Sequence, residues 1–375
     1  SLFGGSGNDL LDSGNKTNFV ADIDHLEGGA HNDTYIVRHA GVVVVEQLNA
    51  GTDEVKTSLD GFILPDNVEN LELTKTGAVG IARQVAAGNS LDNVILSAPV
   101  GAHIDGGAGN DTITGRDRSD FITGGPGADR IDGAGGDDTA EYLYSSFGVD
   151  VSLVRAVTIA GVVYTGSGLN GDAQGDGLLN VESVSGSDYD DVITGNSLVN
   201  YLAGSSVNDV LHGAGGNDNL NGGNGEDDIF GEGDDDYISG GAGADTLDGG
   251  DGFDTADFSS ATGAAISGVT INLITGTGIG GDADGDTIVN FEKVIATNRD
   301  DILISDNNSH VFVGGSGDDQ FFGNGGNDWF EPGLGEDTVD GGADVDMVSY
   351  SDLVWSVSAS LLSGIATSFS VNDTL

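Results

Sequence analysis

From Gly106 to Glu141 the chain reads GGAGNDTIT, GRDRSDFIT, GGPGADRID and GAGGDDTAE, four blocks of nine residues with no gap. A fixed period of this kind outranks every other sequence signal, because it dictates the architecture of the whole chain. The frame extends back through weaker blocks beginning at Gly88 and Ser97, so this first run covers 88–141. Eight further nonads run from Gly186 to Asp257, among them GGNGEDDIF, GEGDDDYIS and GGAGADTLD. A third run of six spans Ala296 to Ser349, with GGSGDDQFF and GNGGNDWFE at its centre.

Within each nonad, position six is almost always aspartate, position eight is a large aliphatic or aromatic residue, and glycine crowds positions one, two and four. Glycine permits positive φ and close backbone approach, so the first six residues can form a tight turn whose carbonyls face one spot, where the aspartate adds a carboxylate. Residues seven to nine alternate out, in, out, a three-residue strand with one buried side chain. The inward set is Ile113, Ile122 and Ile131, then Leu211, Leu220, Ile229, Ile238 and Leu247, then Phe312, Phe321, Phe330 and Val339. Two nonads make one coil of 18 residues that stacks in parallel on the next. The expected fold class is therefore all-β: a parallel solenoid with a narrow core, and larger β coils between the runs.

Composition agrees. The 375 residues include 65 glycines, more than twice the usual share, so helices should be scarce. Against 62 acidic residues stand 11 basic ones, a formal net charge of −51. Such a chain does not pack at neutral pH without counter-ions. Nucleic acid and anionic membrane surfaces are excluded as partners, since both are bound by Lys and Arg. Cysteine is absent, which removes disulfides, thiolate metal sites and cysteine nucleophiles. The longest apolar runs, such as Val42 to Val45, fall far short of a membrane span, so no transmembrane segment is expected. The chain opens and closes inside motifs and reads as a fragment or processed product.

Stacking places equivalent aspartates about 4.8 Å apart. Two unit charges at that spacing repel by about 3 kcal/mol at an effective dielectric of about 20. A divalent cation between successive turns reverses that sign. Carboxylate plus carbonyl oxygen is the ligand set of a hard ion with flexible coordination, and calcium suits it better than magnesium, which resists dehydration.

These residues resemble the RTX (hemolysin-type) family, whose nonapeptide GGxGxDxUx is a calcium-binding parallel β-roll repeat. The resemblance implies several Ca2+ ions held between turns by position-six aspartates and glycine-turn carbonyls. Carried over position by position, the ligands would be Asp111, Asp120, Asp129 and Asp138, then Asp191, Asp209, Asp218, Asp227, Asp236, Asp245 and Asp254, then Asp301, Asp319, Asp328, Asp337 and Asp346. At the N-terminus GGSGNDLLD offers Asp9 and GGAHNDTYI offers Asp33. Asn93, Asn200 and His310 stand where aspartate is expected and His31 replaces a glycine, so sites beside them should be weaker or empty.

The expected organisation is degenerate repeats and linker coils over 1–87, the first run over 88–141, a linker over 142–185, the second run over 186–257, a linker over 258–295, the third run over 296–349 and the start of another linker over 350–375. A longer repeat links these segments, seen in Asn67-Val68-Glu69, Asn180-Val181-Glu182 and Asn290-Phe291-Glu292. Asp172, Gln174 and Asp176, echoed by Asp282, Asp284 and Asp286, alternate like the start of an EF-hand loop. The match then fails at Thr287 and Lys293, which leaves a solvated acidic turn as the plain reading. Gly166, Gly168 and Gly171, and again Gly276, Gly278 and Gly281, fit GxGxxG, but aspartates follow that would repel a pyrophosphate.

No HExxH and no GxSxG occurs, and the histidines His25, His31, His39, His103, His212 and His310 are scattered. Trp329 and Trp355 read as a strand residue and a packing residue rather than a carbohydrate platform. The expected function is non-catalytic: a calcium-stiffened extracellular protein of the bacterial cell surface, serving as stalk, surface layer (S-layer), filament or adhesin, with possible self-association into a lattice or filament. The resemblance further implies type I secretion as an unfolded chain that folds on meeting Ca2+ outside. The alternative is a calcium-binding RTX module of a secreted protease, lipase or alginate epimerase whose catalytic domain lies outside this chain.

Overall fold

The computed structural model describes residues 1–15, 23–77, 82–259 and 268–350, and the backbone of three further strands, Ser358–Ser360, Ile365–Ser368 and Val371–Asp373. Trp355 and most of the linker expected after residue 350 lie outside the described residues. The chain forms two compact units, Ser1–Asp188 and Tyr189–Leu375. Both are parallel β-rolls, and no α-helix occurs among the described residues.

In the first unit, Thr112–Thr114 pairs in parallel with Arg130–Asp132, Ile113 lying opposite Ile131. On the other side of the coil, Phe121–Thr123 pairs with Ala102–Asp105 and with Thr139–Glu141. Two nonads separate one rung from the next on the same side, so every central apolar residue stacks on its own kind. In the second unit the same register carries Val192–Thr194, Val210–His212, Asp228–Gly233 and Thr246–Asp251 up one side. Tyr201–Ser206, Asn219–Asn224, Tyr237–Ala242 and Thr255–Asp257 form the other. Further on, Ile302–Ile304, Gln320–Phe322 and Thr338–Asp340 stack opposite Lys293–Ile295, Val311–Val313 and Trp329–Glu331.

The inward residues are those that the period predicts. Ile113, Ile122, Ile131, Leu211, Leu220, Ile229, Ile238, Leu247, Phe312, Phe321 and Phe330 are all essentially inaccessible. Phe312 and Phe330 stack at 6.1 Å between ring centroids, and Phe321 meets Phe330 edge-on at 5.7 Å. Each such side chain contributes about 1.5–3 kcal/mol. With one buried apolar residue per nonad the core is a single column, so the turns must be held by other means.

The segments between the runs continue the roll. Arg130–Asp132 is followed on its side by Gly177–Leu179, and Thr139–Glu141 by Ser183–Ser185. In between, the chain makes an antiparallel excursion through Asp150–Ser152, Gly166–Leu169 and the hairpin Val157–Ile159 with Val162–Tyr164. The second unit repeats the device: Thr246–Asp251 is followed by Thr287–Val289, with Thr270–Asn272 antiparallel to Thr277–Ile279 in the excursion. In the N-terminal third, Leu10–Asp12, Thr34–Val37, Glu54–Thr57 and Asn70–Leu73 are successive rungs of irregular coils.

Candidate metal centres at the roll edges

The tight turns point the position-six side chain inward. Asp111, Asp120, Asp129, Asp138, Asp209, Asp218, Asp227, Asp236, Asp245, Asp254, Asp301, Asp319, Asp328 and Asp337 are no more than 2% exposed. A buried carboxylate requires hydrogen bonds or a counter-charge. The first requirement is met by a main-chain ladder: Oδ1 of each aspartate accepts the N–H of the position-six residue one coil earlier. Asp111 donates to Asp129 and Asp120 to Asp138, each at 2.7 Å. Asp191 donates to Asp209, Asp209 to Asp227 and Asp227 to Asp245 at 2.8–2.9 Å. On the opposite edge Asp218 donates to Asp236 and Asp236 to Asp254, both at 2.8 Å. Farther along, Asp301 donates to Asp319, Asp319 to Asp337 and Asp328 to Asp346. In the N-terminal third Asp9 donates to Asp33 at 2.7 Å. Every aspartate expected as a position-six ligand thus belongs to a ladder.

Six carboxylates that sequence reasoning left aside complete these ladders. Asp33 donates to Asp53, and Asp53 to Glu69 Oε2. Asp129 donates to Asp176 at 2.7 Å across a 47-residue interval, and Asp245 to Asp286 at 2.8 Å across 41 residues. Asp138 and Asp254 donate to Glu182 Oε2 and Glu292 Oε2, both at 2.9 Å. The acidic turns of the excursions are therefore not simply solvated. Single 3-10 turns, Gly171–Ala173 and Gly281–Ala283, carry the chain back to the roll edge. There Asp176 and Asp286 are buried, while Gln174 and Asp284 are exposed. The recurring glutamate of the NVE and NFE motifs was the available signal for the caps. Its preceding asparagine, at φ 62, 51 and 57 for Asn67, Asn180 and Asn290, makes the left-handed step that brings it round.

The second oxygen divides the turns into two classes. Where position two is left-handed, as at Gly107 (φ 97), Gly125 (φ 92), Ser205 (φ 98), Gly223 (φ 112) and Gly315 (φ 97), Oδ2 of the aspartate four residues on is buried without a hydrogen-bond partner. The conformation matters more than the glycine: Ala134, Ala214, Glu232 and Asn324 adopt φ 60–79 in the same role, and Asp138, Asp218, Asp236 and Asp328 keep an unpartnered Oδ2. A non-glycine residue held there costs about 1 kcal/mol. The N–H of position two then faces outward, as Gly107 and Ala134 show by donating to Asp105 and Asp132 at 3.0 Å.

Where position two is not left-handed, its N–H turns inward and closes the turn. Arg116 donates to Asp120 Oδ2 at 3.2 Å and Thr297 to Asp301 Oδ2 at 2.9 Å. Asn89 and Asn196 donate likewise to the amide oxygens of Asn93 and Asn200. Ser97 Oγ also binds Asp120, and Thr297 Oγ1 lies 3.0 Å from both oxygens of Asp301. His310 meets Ser305 Oγ at 2.7 Å. His31, by contrast, takes φ 82 and preserves the turn its glycine would have made.

In the open turns oxygen faces oxygen. The point a Cβ would occupy on Gly106 is 2.5 Å from Asp111 Oδ2 and 2.5 Å from the carbonyl oxygen of Gly124 in the next coil. On Gly222 the corresponding distances to Asp227 Oδ2 and the Gly240 carbonyl are 2.3 and 2.6 Å. At Gly106 and Gly222 a side chain would displace these oxygens, which favours glycine at position one, although Pro332 holds that position in one turn. Burial, reinforced by neighbouring carboxylates, pushes Asp129, Asp209, Asp286 and Asp319 up to about 8, Asp111 to about 7 and Asp227 to about 6. Unpartnered buried carboxylate oxygens beside main-chain carbonyls, with no sulfur and, apart from His310 beside Asp328, no imidazole, fit a hard divalent cation.

Comparison with known proteins agrees with this chemistry. The model of the RTX calcium-binding nonapeptide repeat matches residues 1–19, 105–140, 194–229, 203–238, 221–256 and 313–348. No curated protein matches the chain. Among the described residues no helix is long and apolar enough to cross a membrane. With its nonads stacked in parallel and their position-six acids buried at the roll edge, the chain carries RTX calcium-binding nonapeptide repeats in several copies.

Proposed function

We propose that the chain is a calcium-locked structural element working outside the cell, as stalk, surface layer, filament or adhesin, and that it performs no catalysis itself. The observation that carries this reading is the row of buried position-six carboxylates whose second oxygen has no partner beside the carbonyls of the next coil. Each acid is fixed by a main-chain N–H through its first oxygen, which suits scaffolding and leaves it ill placed to shuttle protons. The ions would be held by the aspartates of the open turns. Asp120 and Asp301, whose second oxygens are already satisfied, would serve the fold alone.

When bound, calcium supplies the positive charge that lets stacked carboxylates share one edge. Without it, repulsion and glycine entropy favour the expanded chain. Ligand binding to the folded state alone adds stability as RT ln(1 + [L]/Kd), so a calcium-poor cell interior keeps the chain threadable for type I export and the exterior closes it. Self-association into a lattice or filament would extend the same rigidity between copies. The test is far-UV circular dichroism during a calcium titration of the metal-free chain. A cooperative gain of β signal is expected, and a chain fully folded in excess EGTA would refute the reading.

A further inference from the structure

The N-terminal third departs from the nonapeptide rule. Its position-six rungs follow one another at 24, 20 and 16 residues instead of 18, and the repeat model does not match residues 23–77. In this stretch a third carboxylate joins the ladder from outside any nonad. Glu46 follows the strand Val42–Val45, is 7% exposed, and has its main-chain carbonyl held by Asn67 Nδ2 at 3.1 Å. Its side chain is aimed by Tyr35, a fully buried rung residue whose hydroxyl donates to Glu46 Oε1 and accepts the Gly28 N–H at 2.7 Å.

One carboxylate oxygen from each of Asp33, Glu46 and Asp53 lies within 4.8 Å of the other two. Asp33 and Asp53 are each 1% exposed; each uses Oδ1 for the ladder, and the Oδ2 of each has no hydrogen-bond partner. The charges acting on Asp53 are those of Glu46, Glu69 and Asp33, all negative. Lys56, close by in sequence, turns outward to Glu54 and Glu72. Three buried acids with two unpartnered oxygens and no cationic side chain among them call for a metal ion.

We propose that Asp33, Glu46 and Asp53 form a calcium site distinct from the nonapeptide turn sites, tighter than they are, and responsible for locking the irregular coils of residues 23–77. Calcium bonds its oxygens at about 2.4 Å, so two ligands on one ion lie at most about 4.8 Å apart, a span these three acids meet. The extra carboxylate gives this site more ligand charge than a turn that combines aspartate with carbonyls, and ligand charge raises affinity. Tyr35 is the positioning residue that holds Glu46 in place. This inference rests on the calcium reading of the turns for the identity of the ion, but not on any turn site for its geometry.

The test is calcium titration of the full chain by calorimetry, with metal content per chain, and terbium luminescence excited through tyrosine. In the unaltered chain one ion is expected to bind in a separate, tightest phase. Glu46→Gln should remove that phase and lower the bound calcium by one, and Tyr35→Phe should weaken it and reduce the sensitised terbium emission. Asp227→Asn should lower only the later, weaker binding. If Glu46→Gln binds as the unaltered chain does while Asp227→Asn loses calcium, the site is refuted and the turn reading stands; if neither variant loses calcium, both are refuted. Should Glu46→Gln not regain its β signal in excess calcium, Glu46→Asp, which keeps the charge and shortens the reach, takes its place: a weakened first phase supports the site and an unchanged one overturns it.

Discussion

Asp245 accepts the main-chain N–H of Asp227 at 2.9 Å and leaves its other carboxylate oxygen buried without a partner. The two oxygens of one side chain therefore do different work. The first knits successive coils in the absence of any ion, and the second creates the charge that an ion must answer. On the proposed function, this division would make the stability of a fold with so narrow a core depend on a ligand.

Open and closed turns should respond differently to the same change. Asp129→Asn keeps a carbonyl oxygen for the Asp111 N–H but replaces the unpartnered oxygen with an amide NH2, so bound calcium should fall and the midpoint of the folding titration should rise. Asp120→Asn alters a side chain whose second oxygen already accepts the Arg116 N–H, so calcium stoichiometry should be unchanged. Metal content per chain measured on both variants decides this. Equal losses would contradict the distinction.

The glutamate caps can be weighed separately from the ions. Glu292 Oε2 accepts the Asp254 N–H at 2.9 Å at the end of its ladder. Glu292→Ala leaves that N–H without its acceptor and should destabilise the second unit by about 1–3 kcal/mol. Glu292→Gln retains an acceptor and should recover most of it. Thermal unfolding at saturating calcium is the measurement, and a loss shared equally by the two variants would show that the cap acts through its charge.

Proton binding gives a dependence that reverses with metal. Burial raises Asp129, Asp209, Asp286 and Asp319 from 3.8 to about 8, so each binds its proton more tightly folded than unfolded. Their protons stabilise the metal-free fold fully below about pH 4, and that stabilisation is lost as pH rises toward about 8. In metal-free buffer, circular dichroism should gain β signal as pH is lowered from about 8 to about 5. With calcium present, protons compete for the same oxygens and affinity should fall over that range. A metal-free chain whose β signal is flat with pH would count against the desolvated ladders.

Much of this was legible because the nonad couples its signals. Ile229 and Ile238 are buried because position eight faces in, and Asp227 and Asp236 are buried because the turn before it does. The NVE motifs announced a second repeat without disclosing that Glu182 and Glu292 end ladders, since their partners Asp138 and Asp254 lie 44 and 38 residues away. Asp176 and Asp286 were misjudged as solvated for the same reason: local spacing resembled a loop, and only the return of the excursion to the roll edge buries them.

Periodicity alone determined the parallel roll, its inward column and the identity of the acids that stack, because a nine-residue repeat leaves each position one environment. The three-dimensional structure decided which of those acids retain an open oxygen, and it placed Glu46, which belongs to no nonad, beside Asp33 and Asp53. Both outcomes depend on where a backbone N–H or a distant side chain points, and that direction is set by φ at one turn residue and by contacts made across a coil.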